Sequence, residues 1–122
     1  MEENSETKIN HDPTCLFCRI GKGEISANFV HKDEFSFSIR DINPQAPTHI
    51  LVIPREHKQN IACVKEKELL GELFQKACAV AAGEGLSQGF RLVVNTGEEG
   101  GQTVGHLHIH VIGGRPMLWP PG

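Results

Sequence analysis

The chain has 122 residues, is 39% hydrophobic and 22% charged, and suits one compact domain of ordinary globular composition. Its formal net charge of −3 argues against a broad basic nucleic-acid surface, and no apolar run approaches the roughly 20 residues of a membrane span. The acidic N-terminus lacks the apolar stretch of a signal peptide, so we expect a cytoplasmic protein, small enough to enter a nucleus as well.

The first half of the chain contains short predicted elements. Residues 1–14 are polar and aperiodic, and we expect a flexible tail before a single domain over residues 15–122. The elements predicted in that domain are a helical turn over 16–21, a strand beginning at 29–31, a turn at 32–34, a period-two strand over 35–41, a proline-containing loop over 43–47 and an apolar strand over 48–53.

The second half contains the one strong helix. Apolar residues recur at helical spacing over residues 66–82, and Gly83 and Gly85 are expected to end the helix. A strand over 91–95, a glycine-rich loop over 96–105, a histidine-bearing strand and an irregular tail over 113–122 follow. This order predicts an α+β fold with an antiparallel sheet and one main helix.

Three histidines alternate with aliphatic residues near the C-terminus, at His106, His108 and His110. Successive side chains of a strand point to opposite faces, so the three imidazoles are predicted to line one face. A core strand rarely needs three titratable rings in a row. The pattern is typical of a site that moves protons, attacks phosphorus or holds a metal.

The loop that leads into these histidines can bind an anion. Its glycines allow backbone N–H groups to approach a ligand, Gln102 and Thr103 add side-chain donors, and Asn95 can reach from the neighbouring strand. This combination favours phosphoryl or nucleotidyl transfer, in which a neutral imidazole attacks phosphorus and nearby donors stabilise the developing charge. The alternative interpretation is a surface hairpin with an accidental polar face.

Cys15 and Cys18 have the spacing of a zinc knuckle, but neither a second such pair nor a closely spaced histidine pair follows. The spacing leaves two interpretations open: reduced thiols, or zinc with two more ligands from distant sequence. Cys63 is isolated. Cys78 falls within the apolar helical pattern, and we expect it to be a small buried side chain.

Residues 101–112, which include the three histidines, resemble the signature of the histidine triad (HIT) family. Residues 41–49, 51–54 and the ending through Trp119 to Gly122 resemble its Hint branch, so the likeness covers nearly everything from Cys15 onward. The resemblance implies a HIT-like fold and a homodimer in which two protomers form one continuous sheet.

The resemblance also implies an enzyme that hydrolyses purine nucleoside phosphoramidates, such as AMP joined through phosphorus to an amine. His108 would be the nucleophile that becomes nucleotidylated, His110 would contact the phosphate, and His49 would support this cluster. No cofactor would be required for catalysis. Hydrolysis of dinucleoside polyphosphates, a nucleotide-binding scaffold dimer with incidental catalysis and, last, a pure zinc-binding adaptor remain alternatives.

The same resemblance assigns the binding residues. Asp41 would bind the ribose hydroxyls, although a cap of the proline-rich loop is its alternative role, and His49 could equally be a satisfied core histidine. Ile42 would pack against the base, and Trp119 would reach towards the partner's site. The phosphate and leaving group would be held by Asn95, Gly101, Gln102 and Thr103.

In the HIT proteins that carry the N-terminal cysteine pair, zinc is bound by both cysteines, a histidine after the Ile-Pro strand and the first triad histidine. These positions are Cys15, Cys18, His57 and His106. Such a site would be structural and closed, leaving the other triad histidines free for chemistry. His49 is the rival third ligand, while His11 and His31 are expected to be exposed and without a role.

Two positions depart from the Hint pattern. Thr103 stands where serine is common, and its extra methyl and stiffer χ1 predict slower protonation of the leaving group or a different preferred amine. Gly105 stands where a larger, often aromatic residue is common, which predicts a looser backbone and a wider pocket. Neither departure removes a functional group that the reaction requires.

Overall fold

The computed structural model describes residues 10–122, in which the predicted helices and strands lie close to their expected places and one 3-10 turn was not predicted. These elements are, in chain order, α1 (Leu16–Gly21), β1 (Phe29–Lys32), β2 (Ser36–Arg40), β3 (Thr48–Pro54), a 3-10 turn (Ile61–Cys63), α2 (Lys67–Gly83), β4 (Phe90–Val93) and β5 (Ile109–Gly113). Among the described residues, no helix combines the length and apolar character needed to cross a membrane.

The five strands form one antiparallel sheet in the order β1-β2-β3-β5-β4. Strands β3 and β5 therefore lie side by side near the middle, with Leu51 opposite His110 and Ile50 opposite Val111. Side chains directly opposite each other in an antiparallel pair share a face. This register places the histidine strand beside the buried strand β3. The antiparallel sheet with one long helix confirms the predicted α+β fold.

Helix α2 covers one face of the sheet. Its buried stripe of Leu69, Leu73, Ala77, Val80 and Ala81 packs against the aliphatic side chains that alternate with the histidines. The helix ends in a Schellman motif, in which the Leu86 N–H donates to the carbonyl of Ala81 and that of Gly85 donates to Ala82. Gly85 has a φ of 75°, which only glycine adopts at little cost.

Helix α1 covers the opposite face. Phe17 and Ile20 pack against Phe37, Leu51 and Ile53 of the central strands. Because Leu51 is paired with His110, the triad histidines also point to this face. The sheet thus separates an aliphatic layer under α2 from a layer under α1 that contains the polar side chains.

Regular pairing of the histidine strand begins later than predicted. Strand β5 starts at Ile109, while the preceding Leu107 donates its N–H to the carbonyl of Lys58 at 2.7 Å instead of joining the ladder. The predicted alternation persists through this segment, since Leu107, Ile109 and Val111 all lie in the core under α2.

Three predictions of burial were wrong. His11 is half-buried instead of exposed. Cys78 is exposed, because it follows the buried Ala77 by one residue and is turned about 100° away from the buried stripe. His31 is half-buried instead of exposed, and its Nε2 lies 3.4 Å from a carboxylate oxygen of Asp33.

The segment just before α1 contacts the body of the domain. Asn10 and His57 exchange two hydrogen bonds, of 2.6 and 3.1 Å, and the Asp12 carbonyl accepts from the Cys15 N–H. The part of the predicted tail from residue 10 to residue 14 is therefore tied to the sheet. The rest of that predicted tail, residues 1–9, lies outside the described residues.

Candidate active site and metal centre

A cavity of about 420 Å³ opens between α1 and the histidine face of the sheet. Apolar side chains from α1 and strands β2 and β3 line most of its wall. The polar end is formed by Asp41, Thr103, His108 and His110. An apolar wall with a few converging polar groups is the usual form of a small-molecule site.

Backbone contacts determine which nitrogen of His108 carries the proton. Nδ1 lies 2.7 Å from the carbonyl oxygen of His106, which can only accept, so Nδ1 is protonated. Nε2 therefore has a free lone pair in a ring that lines the cavity and is 7% exposed. Burial lowers the pKa of His108, so the neutral, nucleophilic form prevails near neutral pH.

A second hydrogen-bonded chain determines the proton of His110. The Gln45 N–H donates to Nδ1 of His49 at 3.0 Å, so neutral His49 carries its proton on Nε2. That Nε2 donates to Nδ1 of His110 at 2.9 Å, which leaves the Nε2–H of His110 as a donor. Burial, aided by the neighbouring His108 and His49, lowers the pKa of His110 to about 4.

Asp41 joins this chain from the end of β2. Its carboxylate oxygen lies 3.4 Å from Nε2 of His49, while its other oxygen accepts the N–H of Asn43 at 2.8 Å. Burial lowers the pKa of His49, and the Asp41 charge opposes that shift. Asp41 and the histidines thus form one polar edge of the cavity, where they were predicted to meet.

The glycine-rich loop contributes less to this cavity than was predicted. Thr103 lies on its wall, but Gly101 and Gln102 line a second cleft of about 450 Å³ that Thr103 also borders. Gln102 holds the loop together, donating to the carbonyls of Gln59 and Val104 and accepting from the N–H of Gly97.

The remaining predicted residues lie at or beyond the rim of the cavity. Ile42 lines the cavity mouth and is fully exposed, whereas half-buried Asn95 is outside the walls of both clefts. The residues predicted to bind the phosphate therefore do not line one cavity: Thr103 borders both openings, Gly101 and Gln102 border the second, and Asn95 borders neither.

Several contributors to the site were missed at the sequence level. Phe17 packs edge-on against His106 and His108, with ring centroids 5.9 and 5.1 Å away. Its position between the two cysteines is a signal that could have placed it here. The backbone groups of Gln45 and Pro54 carry no comparable sequence signal, since any residue supplies an N–H or a carbonyl.

Four potential metal ligands converge beside the cavity. Cys15, Cys18, His57 and His106 each offer one atom, and these atoms lie within 4.8 Å of one another. His49 is instead part of the chain to His110, so the structure favours His57 over His49 as the third ligand.

The spacing of these atoms fits zinc. Nδ1 of His106 lies 3.2 Å from Sγ of Cys15, 3.6 Å from Sγ of Cys18 and 3.2 Å from Nδ1 of His57. Tetrahedral zinc, with bonds of about 2.3 Å to sulfur and 2.0–2.1 Å to nitrogen, separates its ligand atoms by about 3.3–3.8 Å.

The surroundings of the cluster also fit a cation. Nε2 of His106 donates to the carbonyl of Pro54 at 2.8 Å, which directs the lone pair of Nδ1 towards the sulfur atoms. Burial raises the pKa of the Cys18 thiol, so a bound cation is needed to make it a thiolate at neutral pH. With two cysteines and two histidines, the ligand set is closed and structural.

Comparisons with other sequences agree with this arrangement. The profile of the HIT domain matches residues 22–117. A HIT-like protein of Synechococcus elongatus is 50% identical over 109 residues, which cover 88% of this chain and 96% of that protein. A 14 kDa zinc-binding protein of Zea mays is 45% identical over 125 residues, which cover 99% and 97%, respectively.

Solved structures share the fold. A HIT family hydrolase from Legionella pneumophila superposes with a TM-score of 0.87 at 48% identity, over 89% of this chain and all of that one. A histidine triad protein from Clostridium difficile gives a TM-score of 0.84 at 34% identity, over 88% and 96% of the two chains. The chain therefore belongs to the HIT domain family.

Proposed function

We propose that the protein hydrolyses purine nucleoside phosphoramidates through a covalent nucleotide–His108 intermediate. The observation that carries the proposal is the neutral His108, whose Nε2 lone pair faces a cavity with one apolar wall and one polar end. The similarity of the chain to a HIT family hydrolase supports hydrolysis. Cleavage of a P–N bond is our inference.

In the proposed first step, Nε2 of His108 attacks phosphorus and the P–N bond breaks. The leaving nitrogen takes a proton from solvent through the hydroxyl of Thr103 and departs as the neutral amine. The nucleotidyl-imidazole is positively charged, and the carbonyl of His106 stabilises it by accepting the Nδ1–H. The Nε2–H of His110 donates to a phosphoryl oxygen.

In the second step, water attacks phosphorus and the bond to Nε2 breaks. The attacking water releases one proton to solvent, which balances the proton taken up in the first step. The products are the nucleoside monophosphate and His108 in its starting tautomer, so the cycle consumes one water molecule. No redox change occurs, and the residues of the cavity suffice for both steps.

The rest of the cavity suits a purine nucleoside. Phe17, Ile20 and Leu51 supply the flat apolar surface against which a base packs. Asp41 provides a carboxylate for two ribose hydroxyls, and Ile42 lies exposed at the mouth, where burial by a base would be favourable.

We propose a structural zinc ion held by the two cysteines, His57 and His106. Its support is the ligand geometry and the similarity to a zinc-binding protein of Zea mays. The ion lowers the pKa of the thiols and binds the segment before α1 to the sheet. His108 and His110 remain outside this ligand set.

A homodimer with a continuous sheet is also part of the proposal. Trp119, which is 82% exposed in the single chain, would reach towards the partner's site. A cytoplasmic location stays a prediction. Hydrolysis of dinucleoside polyphosphates and a scaffold role with incidental catalysis remain the competing functions.

The decisive experiment is steady-state hydrolysis of an adenosine phosphoramidate by the wild type and by His108→Ala. We expect turnover to fall at least about 1000-fold in the variant, with AMP trapped on His108 of the wild type in a rapid-quench mass spectrum. The matched control is His31→Gln, which changes a histidine of β1 outside the cavity and should retain turnover.

Faster turnover of a dinucleoside triphosphate than of the phosphoramidate would favour the polyphosphate hydrolase. A folded wild type that binds AMP but turns over neither substrate would favour the scaffold. Either result contradicts the proposed reaction.

A further inference from the structure

A second cleft of about 450 Å³ adjoins the active-site cavity and has no role in the reaction as described so far. Thr103 lies on the walls of both openings. The second cleft is bordered by the loop before His106 and by Gln59 and Asn60, which follow β3. The two openings are therefore neighbours across one threonine.

The chemistry of an in-line displacement gives this cleft a place in the reaction. The nucleophile and the leaving group lie on opposite sides of phosphorus. With His108 and the nucleoside in the first cavity, the leaving nitrogen would face away from His108, and Thr103 lies on the wall that the two openings share. A substituent on that nitrogen is then directed past Thr103 into the second cleft.

The cleft has room for such a substituent because Gly105 leaves its wall open. A Cβ placed on Gly105 would meet no atom of the described residues within 4 Å, and its φ lies outside the left-handed region. A larger side chain could therefore be accommodated here without backbone strain, and it would project into space that is now empty.

The charge of the cleft favours a cation. Among the described residues, Glu98 is the one charged side chain on its wall, accompanied by the amides of Gln59, Asn60 and Gln102. Glu98 is exposed, so its attraction for a cation is weakened by solvent and by salt.

We propose that this cleft is a leaving-group subsite that selects phosphoramidates of extended amines with a second, cationic end, such as alkyl diamines. Gly105 admits the chain and Glu98 favours its terminal ammonium group. The proposal rests on the proposed function, since it assigns the half of the substrate that the His108 cavity does not hold.

The test compares three adenosine phosphoramidates that differ only in the amine: ammonia, pentylamine and 1,4-diaminobutane. The last two are nearly isosteric and differ in terminal charge. For the wild type we expect kcat/KM to be about two- to fivefold higher for the diamine than for the pentylamine derivative. This preference should disappear in about 1 M salt, where the screening length is about 3 Å.

Two variants separate charge from space. Glu98→Gln should abolish the preference for the diamine, whereas the control Glu99→Gln, which changes an exposed neighbour outside the cleft wall, should retain it. Gly105→Phe should lower kcat/KM for both substituted amines by about tenfold more than for the ammonia derivative.

Equal kcat/KM for the diamine and pentylamine derivatives in the wild type would overturn the selection of a cation. Equal slowing of all three substrates by Gly105→Phe would overturn the subsite, because it would place the effect on the catalytic groups. If that variant does not fold, the Glu98→Gln comparison still decides. No turnover of any of the three by folded wild type would overturn the proposed function itself.

Discussion

At the scale of single residues, backbone groups determine which ring nitrogen is protonated in three histidines. The carbonyls of Pro54 and His106 each accept a ring N–H, which leaves a lone pair on Nδ1 of His106 and on Nε2 of His108. The N–H of Gln45 donates to Nδ1 of His49, so the ring proton of neutral His49 lies on Nε2. One residue type thereby offers a candidate metal ligand, the proposed nucleophile and a hydrogen-bond donor in neighbouring positions.

The role of His49 can be tested by removing its hydrogen bond to His110. We expect His49→Ala to lower kcat by up to about 100-fold with little change in KM, because His110 loses the partner that fixes its donor. His49→Gln, whose amide can donate in place of Nε2, should recover part of that loss. Steady-state kinetics with an adenosine phosphoramidate measures both variants.

A purely structural role for His49 would give a different result. Both variants would then lower the melting temperature and the fraction of active protein, with kcat per active site unchanged. Titration of active sites by the burst of released amine distinguishes the two cases.

At the scale of elements, local signals end α2 and form the β1–β2 turn. Gly85 ends the helix because its φ of 75° suits a residue without a Cβ, while Gly83 is the last helical residue. In the turn, one oxygen of Asp33 accepts the N–H groups of Phe35 and Ser36 at 2.8 and 2.7 Å. Both elements were predicted from the sequence because their determinants are contiguous.

Gly83, the last residue of α2, and Gly85, which lies just beyond it, form a matched pair for a stability measurement. Gly85→Ala should lower the free energy of unfolding by about 1–2 kcal/mol, because its Cβ is unfavourable in the left-handed conformation. Gly83→Ala should raise it by up to about 1 kcal/mol, because alanine favours the helix and its Cβ would meet no described atom within 4 Å. Urea unfolding of both variants measures the difference, and equal effects would contradict this assignment.

The β1–β2 turn predicts a dependence of stability on acid pH. Burial raises the pKa of Asp33, but hydrogen bonds from backbone N–H groups and Lys76 outweigh it and lower the pKa from 3.8 to about 2. Because the folded-state pKa is depressed, this stabilisation is present above pH 3.8 and is lost as the pH falls towards 2.

Asp33→Asn should therefore be less stable than the wild type at pH 7, and this difference should shrink between pH 4 and pH 2. We expect the difference at pH 7 to be below about 1 kcal/mol, because the carboxylate is partly exposed. Denaturant unfolding across this range is the measurement, with Glu34→Gln as the exposed neighbouring control. A difference that does not vary with pH would contradict the role of the Asp33 charge.

At the scale of the whole molecule, the cysteine and histidine cluster connects parts of the chain that are distant in sequence. Cys15 caps α1 and Cys18 lies within it, His57 follows β3, and His106 precedes β5. Binding of a metal only in the folded state adds its binding free energy to the stability of the fold. A zinc ion bound there would hold α1, and with it Phe17, beside the cavity that His108 lines.

Removal of the metal should therefore weaken the whole domain. We expect a chelator, or Cys18→Ser, to lower the melting temperature by at least about 5 °C and to release one zinc ion per chain. Cys63→Ser is the matched control, since Cys63 is exposed and outside the cluster. An unchanged melting temperature together with protein purified free of zinc would contradict the proposed ion.

Much of the fold was predictable because its signals are local. The alternation around His108, the helical stripe ending near Gly83 and the spacing of Cys15 and Cys18 all reflect the geometry of neighbouring residues. The predictions that failed depend on contacts between distant parts of the chain. The exposure of Cys78 depends on which face of α2 meets the sheet, and the position of Gln102 depends on the carbonyls that its amide reaches.

The helices and strands, the shared face of the triad histidines and the chemical character of the site were all predictable from the amino-acid order. These properties follow from short-range periodicity and from the side chains present. The pairing of His57 with the cysteines, of His49 with His110 and of His106 with the carbonyl of Pro54 is visible only in the folded protein. These contacts join positions far apart along the chain, so they exist only once strand register and packing bring the groups together. The N–H of Gln45 is only four residues from His49, but its contact depends on the path of the proline-containing loop, which the sequence pattern does not specify.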